Sequence, residues 1–307
     1  MQSIVWQGES IFPWVLGTAQ LGLNYGIAND FGIPASEEAR SLVGGAWAGG
    51  VRFFDTAQAY GVSETALGRC FQAAGLSCGA SVITKLSPEG DPRDAEWIRR
   101  SVAASLQCLG VERLWGLMLH RASWLGVWAE GLGNVLTDLR DSGVVRHLGV
   151  SVYSVWEARQ ALEIPDIDIL QLPCNAWDQR MLRSGVLDQA ARRGVLCFVR
   201  SILLQGLLVL PPEQVEKRLP AAAQAARRWN ELMAEFSCRP IEAAFRFALS
   251  LSLPLVIGVD RPEQIEENLD LLALDALEPD RVDQIHEAMA EVLDETILNP
   301  TEWETKS

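Results

Sequence analysis

Residues 51–75 read VRFFDTAQAYGVSETALGRCFQAAG and contain one complete strand–loop–helix unit. Val51–Asp55 is a short, mostly apolar run, as expected of a strand that is buried on both faces. Ser63–Ala74 instead repeats its apolar residues at helical spacing. The polar segment between them contains Tyr60. This unit predicts a chain of alternating strands and helices in which ionisable groups follow the strands.

The same unit recurs along the chain. The predicted strands are eight short apolar or β-branched runs, at Val15–Thr18, Val51–Asp55, Ser81–Lys85, Leu114–His120, Arg146–Ser151, Asp168–Leu172, Val195–Ser201 and Leu255–Gly258. The predicted helices lie between and after them, at Ser36–Ala48, Ser63–Ala74, Glu96–Leu109, Asn134–Ser142, Trp156–Leu162, Gly185–Arg192, Arg239–Ser250 and Pro262–Leu272.

Strands that alternate with helices form a parallel sheet, and about eight such strands close into a filled barrel. The predicted fold is therefore an α/β (β/α)8 TIM barrel. A doubly wound open sheet is the alternative, but no GxGxxG run follows the first strand. No linker or low-complexity block interrupts the chain, so we predict a single domain over residues 1–307.

Three segments fall outside the repeat. The N-terminal MQSIVWQGES is expected to form a short hairpin that closes the bottom of the barrel. Leu210–Cys238 is rich in Ala and Arg, and we interpret it as an insertion with a helix after the seventh strand. The tail after Pro279 is expected to contain one more helix and a polar end.

Composition excludes several classes of function. A net charge of −14 disfavours a nucleic-acid partner, because binding to phosphates depends on clustered Lys and Arg. The chain has neither a basic, apolar leader nor a run of about 20 apolar residues, so we expect a cytoplasmic protein that does not contact membranes. The scattered cysteines are expected to be reduced thiols, and the dispersed histidines predict no metal site. The oligomeric state stays open.

Ionisable groups follow three neighbouring strands. Asp55 ends the second strand, Tyr60 lies in its loop, Lys85 ends the third strand and His120 ends the fourth. Barrel active sites lie where strands meet the following helices, so these four side chains are expected to face one mouth. A lysine ammonium lowers the pKa of a nearby phenol, and a carboxylate holds a buried lysine charged. We predict that Tyr60 exchanges a proton with the substrate, that Lys85 and Asp55 support it, and that His120 hydrogen-bonds the substrate oxygen.

The runs DTAQAYGVSE (55–64), ITK (83–85) and LMLH (117–120) resemble the aldo-keto reductases of a bacterial branch. The resemblance continues in order through LGVSVYS, DILQLPCN and IGVDRPEQIEENL, over nearly the whole chain. It implies a catalytic tetrad of Asp55, Tyr60, Lys85 and His120, the four residues reached from their charges. It also implies a nicotinamide cofactor that exchanges hydride with an aldehyde, ketone or sugar carbonyl.

The resemblance further implies which residues hold the cofactor. Gly17, Thr18 and Ala19 would line the barrel beneath it, and Asp55 lies beside them. Ser151 and Gln171 would hold the carboxamide, and the run from Arg200 to Gly206, with Ser201, Leu203 and Gln205, would wrap the pyrophosphate. Near the adenosine we expect Gly258, Val259, Asp260, Arg261, Gln264, Glu267 and Asn268, with a helix beginning at Pro262 that points free N–H groups towards a phosphate.

The chain departs from the family pattern in three ways. Val152 stands where many relatives have Asn, and Arg200 stands where many have an aromatic residue that stacks on the nicotinamide. Gly258 and Gln264 replace basic residues that grip a 2′-phosphate, while Arg261 would attract one and Asp260 would repel it. We expect NADP(H), with NAD(H) as the alternative.

Trp124, Trp128 and Trp177 follow the fourth and sixth strands, so we expect them to wall a substrate pocket. Two other functions stay open. One is a nucleotide-binding sensor or regulatory barrel with little turnover. The other is a lyase or isomerase in which Lys85 forms a Schiff base.

Overall fold

A closed barrel of eight parallel strands forms the centre of the computed structural model, which describes residues 3–303. The strands are β1 (Ile4–Trp6), β2 (Glu9–Ile11), β3 (Trp14–Gly17), β4 (Phe53–Asp55), β5 (Ser81–Leu86), β6 (Leu114–Leu119), β7 (Val145–Ser151), β8 (Ile169–Pro173), β9 (Leu196–Arg200) and β10 (Leu255–Gly258). The barrel runs in sequence order from β3 to β10, and β10 pairs with β3. The (β/α)8 prediction is confirmed.

Helices follow the barrel strands on the outside. They are α1 (Ser36–Ala48), α2 (Ser63–Ala74), α3 (Ala95–Leu109), α4 (Leu132–Asp141), α5 (Val155–Leu162), α6 (Arg180–Arg183), α7 (Val186–Arg192), α8 (Pro212–Arg218), α9 (Ala223–Glu235), α10 (Pro240–Ser250), α11 (Glu263–Leu272), α12 (Pro279–Ala290) and α13 (Glu295–Leu298). All eight predicted helices are present, and their ends differ from the prediction by two residues or fewer. Local signals explain several ends, such as the Ser154–Glu157 capping box that starts α5.

The bottom of the barrel is closed by the antiparallel hairpin of β1 and β2, as predicted for the part of this segment that the structure describes. Ile11 from the hairpin packs inside the barrel with Val15, Phe53 and Phe198. Trp6 also packs against this cluster and donates a hydrogen bond from its indole N–H to the Gly194 carbonyl at 2.8 Å. The bottom is therefore a packed apolar floor.

The insertion and the tail differ from the prediction. The insertion contains two helices, α8 and α9, because the chain leaves helical geometry at Leu219 and resumes it after Pro220, which has no N–H to continue the first helix. The tail contains α12, the short α13 and a 3-10 turn at Pro300–Glu302. Both segments lie outside the strands that carry the predicted site.

The register of the barrel brings the predicted site residues to one edge. Gly17 of β3 pairs with Asp55 of β4 and with Gly258 of β10. Ser151 of β7 pairs with Gln171 of β8. Because all these strands are parallel, these carboxyl-terminal residues face the same mouth.

The described residues contain neither a membrane-spanning helix nor a metal-binding cluster. Within residues 3–303, no helix combines the length and the apolar character needed to cross a membrane. In the same range, no three His, Cys, Asp or Glu side chains are grouped so as to hold a metal ion.

Candidate active site

Lys85 lies at the centre of the site and is fully buried. Its Nζ lies 2.8 Å from each carboxylate oxygen of Asp55 and 3.0 Å from the Thr56 carbonyl oxygen. The same Nζ also donates a hydrogen bond to the Tyr60 hydroxyl oxygen at 3.3 Å. A buried ammonium is tolerated only when a counter-charge and hydrogen bonds replace its water, and Asp55 supplies the charge. The nitrogen is enclosed by oxygens, which disfavours the Schiff-base interpretation of Lys85.

A hydroxyl network fixes the start of α2, the helix that follows Tyr60. Ser63 donates a hydrogen bond to the Thr18 carbonyl at 2.7 Å, and its oxygen lies 3.0 Å from the Thr56 hydroxyl. Next to it, the Glu64 carboxylate accepts a hydrogen bond from Thr84 at 2.7 Å, on the strand that carries Lys85. Ser63 and Glu64 of the DTAQAYGVSE run therefore tie the start of α2 to the ends of β3 and β4 and to β5.

A close backbone contact positions the turn that carries Tyr60. A Cβ added to Gly22 would lie 1.9 Å from the Tyr60 carbonyl oxygen, and one added to Gly61 would lie 2.3 Å from the Gly22 carbonyl oxygen. Gly61 also has φ +56°, a conformation that other residues adopt at a cost. Both positions therefore require glycine for this turn to form.

His120 sits beside Tyr60, with their rings edge to face and their centroids 5.8 Å apart. Its Nδ1 is buried and has no hydrogen-bond partner among the described residues. Burial, helped by the positive charges of Lys85 and Arg200, lowers the pKa of His120 to about 3. His120 is therefore neutral at physiological pH and has unused hydrogen-bonding capacity.

The pKa of Tyr60 differs from the expectation. Burial and the negative charge of Asp55 raise the pKa of the Tyr60 phenol well above its ordinary value, and Arg200 opposes the shift. The sequence argument expected Lys85 to lower it. In the structure the Lys85 charge is taken up by Asp55 in a short ion pair, so desolvation dominates. The resting site therefore keeps its proton on Tyr60.

A long cleft opens over this cluster. Most of the predicted cofactor residues line it, namely Gly17, Thr18, Ala19, Asp55, Gln171, Arg200, Ser201, Leu203, Gln205, Gly206, Gly258, Asp260, Arg261, Gln264 and Asn268, together with Tyr60. Ser151 and Val259 are buried next to it, and Glu267 is exposed on α11. Lys85 lies beneath the lining, within hydrogen-bond distance of Tyr60.

Glycines leave room in the cleft. A Cβ on Gly258 would lie 2.4 Å from the Gln20 side-chain nitrogen, and one on Gly206 would lie 2.3 Å from the Ala28 Cβ. Ser201 and the run from Leu204 to Gly206 have positive φ values, between 46° and 91°. Left-handed residues in a turn can point backbone N–H groups into a concavity that suits anions. Here the N–H groups of Leu204 and Gly206 already donate to the Ser201 and Leu203 carbonyl oxygens, at 2.9 Å each, so these two donors are occupied.

The loop after β10 differs in detail from the prediction. The side-chain oxygen of Gln264 accepts hydrogen bonds from the backbone N–H groups of Asp260 at 2.6 Å and Arg261 at 3.2 Å. Those donors are therefore already occupied, and α11 begins at Glu263, with Pro262 as its cap. Asp260 keeps one buried carboxylate oxygen without a partner among the described residues, whereas Arg261 is exposed and lies over the Phe31 ring.

The residues that the resemblance assigns to the nicotinamide, and Val152 beside them, have unusual surroundings. Gln171 donates a hydrogen bond to Asp55 at 2.7 Å, so its amide nitrogen is already engaged with the ion pair. Val152 is fully buried and its side chain offers no hydrogen bond. The Arg200 guanidinium stacks on the Tyr153 ring, with Cζ 4.1 Å from the ring centroid. Of the residues that the sequence analysis assigns to the nicotinamide, Gln171 and Arg200 are thus already engaged with protein groups.

The three tryptophans expected in a substrate pocket do not line the cleft. Trp124 is buried against Trp97 and Trp177 against Trp229, each edge to face. Trp128 packs so closely over Gly133 that an added Cβ would lie 2.4 Å from its indole nitrogen. These tryptophans instead pack loops onto helices, since a large aromatic ring buries much apolar surface when it lies between two elements.

Sequence reasoning missed the loop between Gly22 and Ala35. Tyr25, Gly26, Ala28, Asn29 and Phe31 of this loop, with Gln20 just before it, line the cleft, and the Ala28 N–H donates to the Gln205 carbonyl of the loop after β9 at 3.4 Å. Arg218 of α8 holds this loop through two hydrogen bonds to the Asp30 carboxylate, each 2.9 Å. The available signal was its length, because a long segment without helix or strand periodicity in a compact domain is usually functional.

The mouth of the (β/α)8 barrel thus combines a buried Lys–Asp pair, a tyrosine in contact with it and a cleft. Comparison with known proteins identifies the family. The model of the aldo/keto reductase family matches residues 13–290, so the chain belongs to this family. Its members are oxidoreductases that act on aldehydes and sugars with NAD(P)(H).

Among curated proteins, the chain is similar to a D-threo-aldose 1-dehydrogenase from a Pseudomonas species, with 26% identity over 84% of this chain and 91% of that protein. It is also 26% identical to an NADH-specific methylglyoxal reductase from Escherichia coli K12, over 80% of this chain and 85% of that one. A solved structure of a glycerol dehydrogenase from Gluconobacter oxydans aligns with a TM-score of 0.73 at 20% identity, covering 97% of each chain. That last likeness supports the fold.

Proposed function

We propose that the protein is an NAD(P)(H)-dependent oxidoreductase that interconverts a carbonyl and an alcohol, with Tyr60 as general acid and base. The observation that carries the proposal is the contact of the Tyr60 hydroxyl with Lys85 Nζ at 3.3 Å, above the Asp55 ion pair. A phenol held against a buried cation can give up its proton when a nearby oxygen develops negative charge.

In the reducing direction Tyr60 donates its proton to the carbonyl oxygen of the substrate. Lys85 stabilises the phenolate that remains, and Asp55 holds Lys85 charged and oriented. Neutral His120 is a candidate to donate a hydrogen bond to the same oxygen. In the oxidising direction the phenolate of Tyr60 removes the alcohol proton.

The cleft residues fit a dinucleotide. Ser151 and Gln171 are assigned to the carboxamide, the left-handed run near Gly206 to the pyrophosphate, and Asp260 with Arg261 to the adenosine. The nicotinamide supplies or accepts the hydride when it is bound. NADP(H) is our first choice because Arg261 is available to a 2′-phosphate, and NAD(H) is the alternative because Asp260 faces the same cleft.

The substrate is assigned to small aldehydes, ketones or sugars. Two relatives are named for an aldose and for methylglyoxal, which are small and rich in oxygen. The polar groups around Tyr60 suit such substrates better than a large apolar ketone.

Calorimetric titration with NADPH and NADH, followed by a screen of aldehydes, ketones and sugars in both directions, tests the proposal. We expect saturable binding of at least one dinucleotide and turnover of at least one substrate class. Absence of binding to both dinucleotides would overturn it. Tight binding with no turnover on any substrate would favour the sensor or regulatory barrel instead, for which Val152 and Arg200 are the supporting departures.

A further inference from the structure

The chain has three tyrosines, Tyr25, Tyr60 and Tyr153, and each lies near enough to Arg200 to feel its charge or to stack on it. Tyr25 and Tyr60 line the same cleft as Arg200. Tyr153 forms the stacking surface beneath its guanidinium. Arg200 is therefore a cation that stacks on one tyrosine ring and shares its cleft with the other two tyrosines.

Arg200 is held in place from two sides. It ends β9, and its Nη2 donates to the Val152 carbonyl at 3.2 Å, while Nη1 donates to the Ser201 hydroxyl at 3.4 Å. Both acceptors are neutral oxygens. No carboxylate in residues 3–303 forms an ion pair with Arg200, which is only partly buried. Its positive charge is therefore fixed but not neutralised.

The other ionisable groups at this end leave that charge uncompensated. Asp55 and Lys85 cancel each other in their ion pair. The pKa of Tyr25 is raised to about 12, mainly by burial, so this phenol is neutral, as are Tyr60 and His120. The exposed Arg121 adds a positive charge near His120, which water screens.

The position of Tyr60 fixes where the nicotinamide must lie. The two atoms of a carbonyl are about 1.2 Å apart. The proton reaches the oxygen and the hydride reaches the carbon, so the ring must approach the substrate beside Tyr60. Arg200 lines the same cleft as Tyr60, and its charge acts on both Tyr60 and His120, so a ring bound beside Tyr60 would lie within range of its guanidinium.

Resting on the proposed function, we propose that Arg200 tunes the redox balance of the bound cofactor in favour of alcohol oxidation. The oxidised nicotinamide ring carries a positive charge and the reduced ring carries none. A fixed cation beside it repels the oxidised form alone, which weakens its binding relative to the reduced form. In oxidation, Tyr60 would first release its own proton to water, and its phenolate would then take the hydroxyl proton, while a bound nicotinamide would accept the C–H electron pair and hydrogen as hydride. The repulsion is relieved by this step.

The test measures the dissociation constants of the oxidised and reduced cofactor by calorimetry, using whichever of NADP(H) or NAD(H) binds more tightly. The variants are Arg200→Gln, which removes the charge, and Arg200→Lys, which keeps it. Arg261→Gln is the matched control, since it removes a cation at the far end of the cleft.

We expect the ratio of the oxidised to the reduced dissociation constant to fall about tenfold in Arg200→Gln. The ratio should stay near the wild-type value in Arg200→Lys, which keeps the charge. It should also stay there in Arg261→Gln, in which the oxidised and the reduced cofactor should lose affinity by the same factor. An unchanged ratio in Arg200→Gln would overturn the role of Arg200 while leaving the proposed function standing. Failure of the wild-type protein to bind either form would overturn both.

Discussion

The floor and the mouth of the barrel are built from the same strands but filled with opposite chemistry. Along β4, Phe53 belongs to the apolar floor and Asp55 to the mouth, and along β5, Ile83 lies in the floor and Lys85 in the mouth. On β8, Ile169 and Gln171 repeat the change. Residues two apart on a strand point to the same side, so each polar group sits directly above an apolar one.

This difference separates stability from chemistry within one barrel. The floor gains free energy by burying large rings, such as Trp115 against Phe53 and Phe198. The mouth instead buries an ion pair, which adds little or nothing to stability and must be held by a rigid support. Substitutions at the two ends should therefore have separable effects on unfolding and on catalysis.

The largest effect is expected for Lys85→Met in the mouth. Turnover should fall at least about a thousandfold, because Tyr60 loses the cation that stabilises its phenolate. Unfolding should also become easier by about 3–5 kcal/mol, because Asp55 is left as a buried, unpaired charge. Steady-state kinetics and chemical denaturation measure the two effects.

The double variant Asp55→Asn/Lys85→Met sharpens this result. It removes both charges, so most of the lost stability should return while turnover stays low. Recovery of turnover together with stability would contradict a catalytic role for the pair.

The next largest effect is expected in the floor. Trp115→Ala should lower the free energy of unfolding by about 3–5 kcal/mol, because the ring is buried and its N–H bonds the Glu9 carboxylate at 2.9 Å. Cofactor affinity of the folded protein should stay unchanged. Trp156→Ala is the matched control: this ring is 66% exposed, and its loss should change stability by less than about 0.5 kcal/mol. A floor variant that weakens cofactor binding strongly would break the separation.

A smaller, pH-dependent effect is expected at His120. Its pKa is about 3 in the folded protein and near 6.5 in the unfolded chain, so between these values the unfolded state binds more protons. The free energy of unfolding should therefore fall as the pH drops below about 6.5. The difference in free energy of unfolding between the wild type and His120→Asn should change by about 1 kcal/mol between pH 7.5 and pH 5.5.

The exposed His286→Asn on α12 is the control, and it should leave the wild-type slope in place. An identical slope in His120→Asn and wild type would show that His120 is not buried in its neutral form.

Much of the fold could be predicted because each element carries its own periodicity. The clearest error in a strand is at β4, which begins at Phe53 rather than Val51. The Val51 N–H bonds the Ala46 carbonyl at 3.0 Å as the chain leaves α1, a contact between elements that strand patterns do not show. The insertion was predicted with one helix and contains two, although Pro220, where they separate, is a break that the sequence itself shows.

The site was predicted less completely. The tetrad follows from strand ends and motifs, and the structure brings Asp55, Tyr60, Lys85 and His120 together. The direction of the Tyr60 pKa and the burial of Trp124 and Trp177 depend instead on packing between distant segments. Tyr25 was missed for the same reason, since only the folded chain brings its loop over the cleft.

Single-turnover kinetics of Tyr60→Phe with saturating cofactor test the central claim most directly. This change removes one oxygen and keeps the ring, so stability and cofactor affinity should stay close to wild type. The rate of the chemical step should fall by about a hundredfold to ten-thousandfold in both directions. A rate equal to that of the wild type would show that the proton moves through another group, and would contradict the role of Tyr60.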